Sequence, residues 1–108
     1  MEFLTKLEEL VLIAVLRLGE DAYGISVFNA IRKLTGKDIT VSKVYFPLER
    51  LVKKGYLYTK KGEPTPKRGG MRKRFYRLTR SGIQALQENR ALNEVAWRGV
   101  LELLKRTE

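Results

Sequence analysis

Apolar residues in the first eighteen positions recur three and four apart. Leu4, Leu7, Leu10, Val11, Ala14, Val15 and Leu18 make one stripe, which Leu12 and Ile13 widen. This spacing predicts an amphipathic helix over about Thr5–Leu18, with Glu8 and Glu9 off its main face and Gly19 as its stop. So broad a stripe predicts burial on two sides, one of them against a second chain. Tyr23, Val27, Ala30, Ile31 and Leu34 repeat the period up to Gly36. Glu20 and Asp21 precede that segment, where the free N–H groups of a helix start favour acids. A third helix is predicted from Val41 to about Lys54, with Thr40 as its N-cap. Val44, Leu48, Leu51 and Val52 point inward; Ser42, Lys43, Glu49, Lys53 and Lys54 point out; Gly55 closes it. Pro47 is expected near the first turns, where a missing N–H costs little.

The pattern then changes. Tyr56-Leu57-Tyr58-Thr59 and Arg74-Phe75-Tyr76-Arg77-Leu78 are rich in strand-favouring residues. Gly62, Pro64, Pro66, Gly69 and Gly70 between them predict the loop of a long hairpin, a wing. After Thr79, the positions Ile83, Leu86, Leu92, Val95, Ala96, Val100, Leu103 and Leu104 predict one long last helix. Nothing follows for it to pack against, which favours dimerisation over folding back on the first three helices. Ala96 and Gly99 would permit close helix approach. The expected fold class is mainly α with a small β-hairpin (α+β), a winged helix-turn-helix with a long C-terminal dimerisation helix. Residues 1–79 would form the winged helix-turn-helix and residues 80–108 the dimerisation helix, in one compact unit. With 108 residues there is room for a single modest core.

Composition narrows the function. There is no Cys and no His, which removes disulfides, thiolate chemistry and metal sites built on those residues. The longest apolar run, Leu10 to Leu16, is too short to span a bilayer, and the N-terminus has no basic leader. A cytoplasmic location is the expectation. The net charge of +10 is concentrated: from Lys60 to Arg80 there are nine Lys and Arg against the single acid Glu63. Such a segment suits a polyanion, whose neutralised phosphates release counterions.

A capped helix followed by a basic hairpin suits duplex DNA. The major groove, about 12 Å wide, admits one helix, and the hairpin meets the backbone beside it. The candidates on the third helix are Thr40, Ser42, Lys43 and Tyr45, joined by Phe46 if the helix enters deeply. Thr40 reads equally as a cap, and Tyr45 equally as a core residue with an emerging hydroxyl. Arg50 reads as a partner of Glu49 or another carboxylate, and Lys53 as a solvated charge. In the wing the phosphate candidates are Lys67, Arg68, Arg72, Lys73 and Arg74, with alternation sending Arg72 and Arg74 to one face and Lys73 to the other. The candidate dimer interface is Leu4, Leu7, Val11, Leu92, Val95, Ala96, Val100, Leu103 and Leu104.

Several segments, in this order, resemble the PadR family of transcriptional regulators, particularly its short-chain members with one C-terminal helix. They are Asp21-Ala22-Tyr23-Gly24; Val44-Tyr45 with Leu48-Glu49-Arg50-Leu51; Lys54-Gly55-Tyr56-Leu57; Gly62 to Pro66 with Arg68-Gly69-Gly70; and Arg74 to Thr79 with Gly82. Trp97 and Gly99 also fit. Ser42 stands where many members have Gly, and Phe46-Pro47 where small hydroxyl residues or Tyr-Pro are commoner. The resemblance implies a cytoplasmic homodimeric regulator, usually a repressor, whose last helix pairs with helix 1 of the other subunit. Some members of the family bind a small aromatic effector at that interface against a tryptophan of the last helix; Trp97 stands in a comparable place, where it either stacks on such a ligand or fills the dimer core. No cofactor is expected.

Two other functions compete with a repressor on a pseudo-palindromic operator. A non-sequence-specific architectural or RNA-binding winged helix would use Tyr56, Tyr58, Phe75 and Tyr76 as a stacking platform, although their alternation in a hairpin favours packing. An enzyme would need a nucleophile, a base or paired carboxylates in a pocket, and no such set is legible.

Overall fold

Thr5 starts the first helix with a reciprocal cap. Its Oγ1 accepts from the Glu8 N–H at 3.1 Å, and Glu8 Oε1 accepts from the Thr5 N–H at 2.9 Å. The computed structural model describes residues 3–62 and 73–107. Within them, helix α1 (Lys6–Leu18), a 3-10 turn (Gly19–Asp21), α2 (Gly24–Thr35) and α3 (Ser42–Lys53) lead into strands β1 (Leu57–Lys61) and β2 (Arg74–Leu78). Helices α4 (Arg80–Trp97) and α5 (Val100–Arg106) follow. The fold class read from the sequence, mainly helical with a small antiparallel hairpin, is the one observed.

The core lies where the three helices meet the hairpin. Val11, Leu12, Ala14 and Val15 of α1 pack with Val27 and Ile31 of α2, Val44, Leu48 and Leu51 of α3, and Leu57 and Tyr76 of the strands. Alternation places Leu57 and Tyr76 inward, in a register that pairs Leu57 with Leu78, Thr59 with Tyr76 and Lys61 with Arg74. Val11 is fully buried in this core, so it is removed from the dimer candidates. Leu4 and Leu7 are partly buried against the same cluster.

Five further expectations change. Glu8 is not off the main face but only 1% exposed, and its Oε2 accepts from Lys54 Nζ at 3.0 Å and Arg50 Nε at 3.5 Å. Lys54 stays exposed but sends its ammonium back to this carboxylate. Tyr23 precedes the second helix: it is extended and bridges to Phe75, while the neighbouring Ala22 carbonyl accepts from the Tyr76 N–H at 2.8 Å. Its N–H is capped by Ser26 Oγ at 2.9 Å, so Glu20 and Asp21 lie in the 3-10 turn instead of opening α2. Thr40 does not cap α3 with its side chain, since its Oγ1 lies 3.2 Å from Ser42 Oγ and the N-cap position falls on Val41. Pro47 is the sixth residue of α3 and buried, beyond the free N–H groups; the helix continues although Pro47 cannot donate to the Lys43 carbonyl.

The fifth change is in the tail. The long last helix is two helices, broken at Arg98-Gly99, where Gly99 takes φ +78°. A left-handed residue ends α4 and redirects α5, so Gly99 serves the turn. Thr79 caps α4 by accepting from the Gly82 N–H at 3.0 Å and donating to the Gly55 carbonyl at 2.6 Å. Asn89 Nδ2 donates to Glu9 Oε2 at 2.8 Å, tying the middle of α4 to α1. From Ala91 onward every described residue except Val100 is exposed. The radius of gyration, 16.5 Å, exceeds the roughly 13 Å of a compact chain this long, as a projecting tail requires.

Candidate nucleic-acid interface

Helix α3 has a sharply divided surface. Val44, Pro47, Leu48 and Leu51 face the core, which turns Ser42, Phe46, Glu49 and Lys53 outward by the 3.6-residue repeat. Thr40, Ser42 and Lys43 are all exposed at its leading end, and so are Val41 and Phe46. Phe46 is 67% exposed, the most open aromatic side chain on the helix.

Tyr45 is half-buried and points sideways, toward α2 and the hairpin root. Its ring lies against Gly24, where an added Cβ would overlap the phenol. Tyr23, Gly24, Ile25, Tyr45, Glu49, Lys73, Arg74 and Tyr76 enclose a hollow of about 260 Å³ at this junction. Arg74 Nη1 donates to Glu49 Oε1 at 3.0 Å, and its guanidinium carbon lies 5.7 Å from the centre of the Tyr76 ring. Lys73 Nζ sits 3.9 Å above the Tyr23 ring, which meets Phe75 edge-on at 5.7 Å. Burial pushes the Tyr76 phenol up, against the lowering effect of Arg74 and with the raising effect of Glu49.

Strand alternation predicts Lys73 and Arg74 on opposite faces of the wing. They converge on one hollow instead, because Lys73 precedes β2 and escapes its alternation. Lys67, Arg68 and Arg72 lie outside the described residues. Arg50 pairs with Glu8, not with its neighbour Glu49. Neither the Arg74–Glu49 pair nor the Tyr45–Gly24 contact was legible in the sequence; strand-to-helix partners 25 residues apart carry no local signal. Three of the four aromatics of the possible stacking platform are engaged otherwise. Tyr76 is buried, Tyr56 packs on the core and Phe75 meets Tyr23, leaving Tyr58 exposed.

The family model for the transcriptional regulator PadR-like family matches residues 12–88, from α1 well into α4. The chain belongs to the PadR-like family of transcriptional regulators. It is thus a DNA-binding regulator and not an enzyme. Solved structures agree in fold. A PadR-like regulator from Bacillus cereus superposes with a TM-score of 0.74 at 20% identity, covering 91% of this chain and 90% of that one. A transcriptional regulator from Clostridium thermocellum gives 0.72 at 24% identity, with coverage of 89% and 87%. A PadR family regulator from Eggerthella lenta gives 0.69 at 28% identity, with coverage of 88% and 80%. Comparison with curated proteins finds no match. Among the described residues no helix is long and apolar enough to cross a membrane.

The second surface is the tail. Leu92, Val95, Trp97, Leu101, Leu103 and Leu104 are 43% to 64% exposed. Ala96 is exposed and Val100 half-buried. Between α1 and α4 lies a groove of about 500 Å³ lined by Glu9, Ile13, Leu86, Gln87, Arg90, Asn93 and Glu94. Trp97 does not line it.

Proposed function

We propose that the protein is a cytoplasmic homodimeric repressor whose two α3 helices read the half-sites of a pseudo-palindromic operator. Residues 1–79 bind DNA and residues 80–108 hold the dimer. The observation that carries this reading is the Arg74–Glu49 pair. It fastens the basic hairpin to the solvent side of the same helix whose Thr40, Ser42 and Lys43 are exposed, so both elements meet one side of a duplex. Ser42 and Lys43 are the base-contacting candidates, Thr40 and Tyr45 flank them, and Lys67, Arg68, Arg72, Lys73 and Arg74 serve the phosphates.

Dimerisation is supported by the apolar tail. Six large apolar side chains exposed on α4 and α5 cost solubility unless covered, and a second copy brings the same surface. Leu4, Leu7, Leu92, Val95, Ala96, Val100, Leu103 and Leu104 are the interface residues, without Val11. Half-sites then lie about 34–36 Å apart. Trp97, half-exposed beside this surface, fills the dimer core or stacks on a small aromatic effector.

Binding isotherms over a salt series test the reading. Arg72→Glu with Arg74→Glu should weaken binding to every duplex and lower the salt slope by about 1 for each phosphate that is no longer neutralised. Ser42→Ala and Lys43→Ala should change sequence preference instead. Normal binding by the wing variant at all salt concentrations would remove the wing from the interface. An architectural role is favoured only by the exposed Tyr58; competition with bulk DNA and with RNA separates the two.

A further inference from the structure

Phe46 is the least explained side chain on α3. Its ring is 67% exposed, it belongs to neither the buried cluster nor the partly buried residues packed on it, and no described aromatic or cation is stacked on it. Around it on the outward face stand Ser42, Lys43, Glu49, Arg50 and Lys53. A phenyl ring this open, one turn beyond Ser42 and amid polar and charged neighbours, is free to meet an apolar group of whatever α3 docks against. We propose that Phe46 is a specificity-determining residue that reads the 5-methyl group of a thymine in the major groove.

The chemistry leaves one candidate edge. In that groove guanine offers two acceptors, adenine an acceptor and a donor, cytosine a donor, and thymine an acceptor together with a methyl group. A phenyl ring neither donates nor accepts there. Set against guanine, adenine or cytosine it strips water from polar atoms and returns no hydrogen bond. Only thymine presents a methyl group to it. Phe46 lies four residues past Ser42, about 6 Å along the helix. Ser42 therefore meets a base edge near the helix start while Phe46 covers a neighbouring step. Lys43, three residues before, flanks the ring where a phosphate would lie.

This inference rests on α3 entering the groove, and the test separates the two. The probe is the tightest duplex that the wild-type protein selects from a random library, resynthesised with deoxyuridine for thymidine at one position at a time. Each exchange deletes one methyl group and leaves every hydrogen-bonding atom in place. The wild-type protein should lose about fourfold in affinity at one or two positions in each half-site. Phe46→Ala should bind the thymidine duplex about fourfold more weakly and fall below a twofold thymine-to-uracil ratio at those positions. Phe46→Leu should keep part of the ratio, and circular dichroism should show both variants folded, since the ring packs on nothing in the core. Ser42→Ala should retain the ratio in full. If no position is methyl-sensitive, or if Phe46→Ala keeps the wild-type ratio, the assignment fails. If Ser42→Ala and Lys43→Ala nonetheless shift sequence preference, the helix still reads DNA and only the role of Phe46 is lost. If they do not, the reading of α3 itself falls.

Discussion

Helices α1 and α5 carry the same kind of apolar stripe and meet opposite fates. In α1, Val11, Leu12, Ala14 and Val15 vanish into the core. In α5, Leu101, Leu103 and Leu104 remain more than half exposed. Periodicity states that a face must be covered; it does not state by what. The head of the molecule covers its own faces, with α2, α3 and the hairpin closing over α1. The tail runs past the Asn89–Glu9 hydrogen bond that ties α4 to α1, and beyond it the apolar side chains stand open. On the proposed reading, the first region serves folding and the second association.

The largest expected effect falls on that contrast. Leu103→Asp with Leu104→Asp should raise the dimer dissociation constant at least a hundredfold, about 3 kcal/mol, because each buried carboxylate loses its water. Sedimentation equilibrium measures this. A wild-type protein that is monomeric at micromolar concentration would remove the division of labour altogether.

Next comes the clasp inside the head. Burial by itself would raise the Glu8 carboxyl, but the Thr5 N–H, Lys54 and Arg50 outweigh it and hold it below the usual carboxylate range. Removing it by Glu8→Ala should cost about 2–3 kcal/mol, with the high exposure of Arg50 keeping the loss from being larger. The pH dependence follows from the sign. A lowered pKa contributes stability that is present above the unfolded carboxylate value and lost as pH falls through the folded one. Thermal melts of wild type and Glu8→Gln should therefore differ most near neutrality and converge in acid. A difference that grows in acid would contradict this account.

Gly24→Ala should cost about 1–2 kcal/mol in denaturant unfolding, since the new methyl would overlap the Tyr45 ring. Being half-buried, Tyr45 can move aside, which would also displace the hairpin root and weaken DNA binding. Unchanged stability would mean that Tyr45 does not press on α2. The smallest effect is expected at Glu49→Gln. Losing a half-exposed ion pair with Arg74 should change stability by less than about 1 kcal/mol, yet weaken DNA binding, because the hairpin is no longer fastened beside α3. Unchanged or tighter binding would show instead that the pair does not position the wing and only withholds Arg74 from phosphate.

Much of the architecture was legible because it is written in short-range signals. Gly36 and Gly55 end helices where φ turns positive, Thr5 and Thr79 begin them, and the two strand-rich runs pair as a hairpin. The family motifs marked the same elements. Less of the site was legible. Thr40 looked like a cap, yet its hydroxyl faces Ser42. Lys73 and Arg74 looked divergent, yet they share one hollow. Glu8 looked like surface charge because its partners Arg50 and Lys54 are more than forty residues away in the chain.

The sequence alone determined the order of the first three helices and the hairpin, the concentration of positive charge between Lys60 and Arg80 and the family, because helix period, turn chemistry and charge are local properties. Tertiary structure decided which charges are engaged inside the protein: Arg50 and Lys54 with Glu8, Arg74 with Glu49, Lys73 with the Tyr23 ring. It also decided that Val11 is core while Phe46 is not. The physical reason is that pairing and burial depend on distances through space, which are fixed only when α1, α3 and the hairpin have packed together.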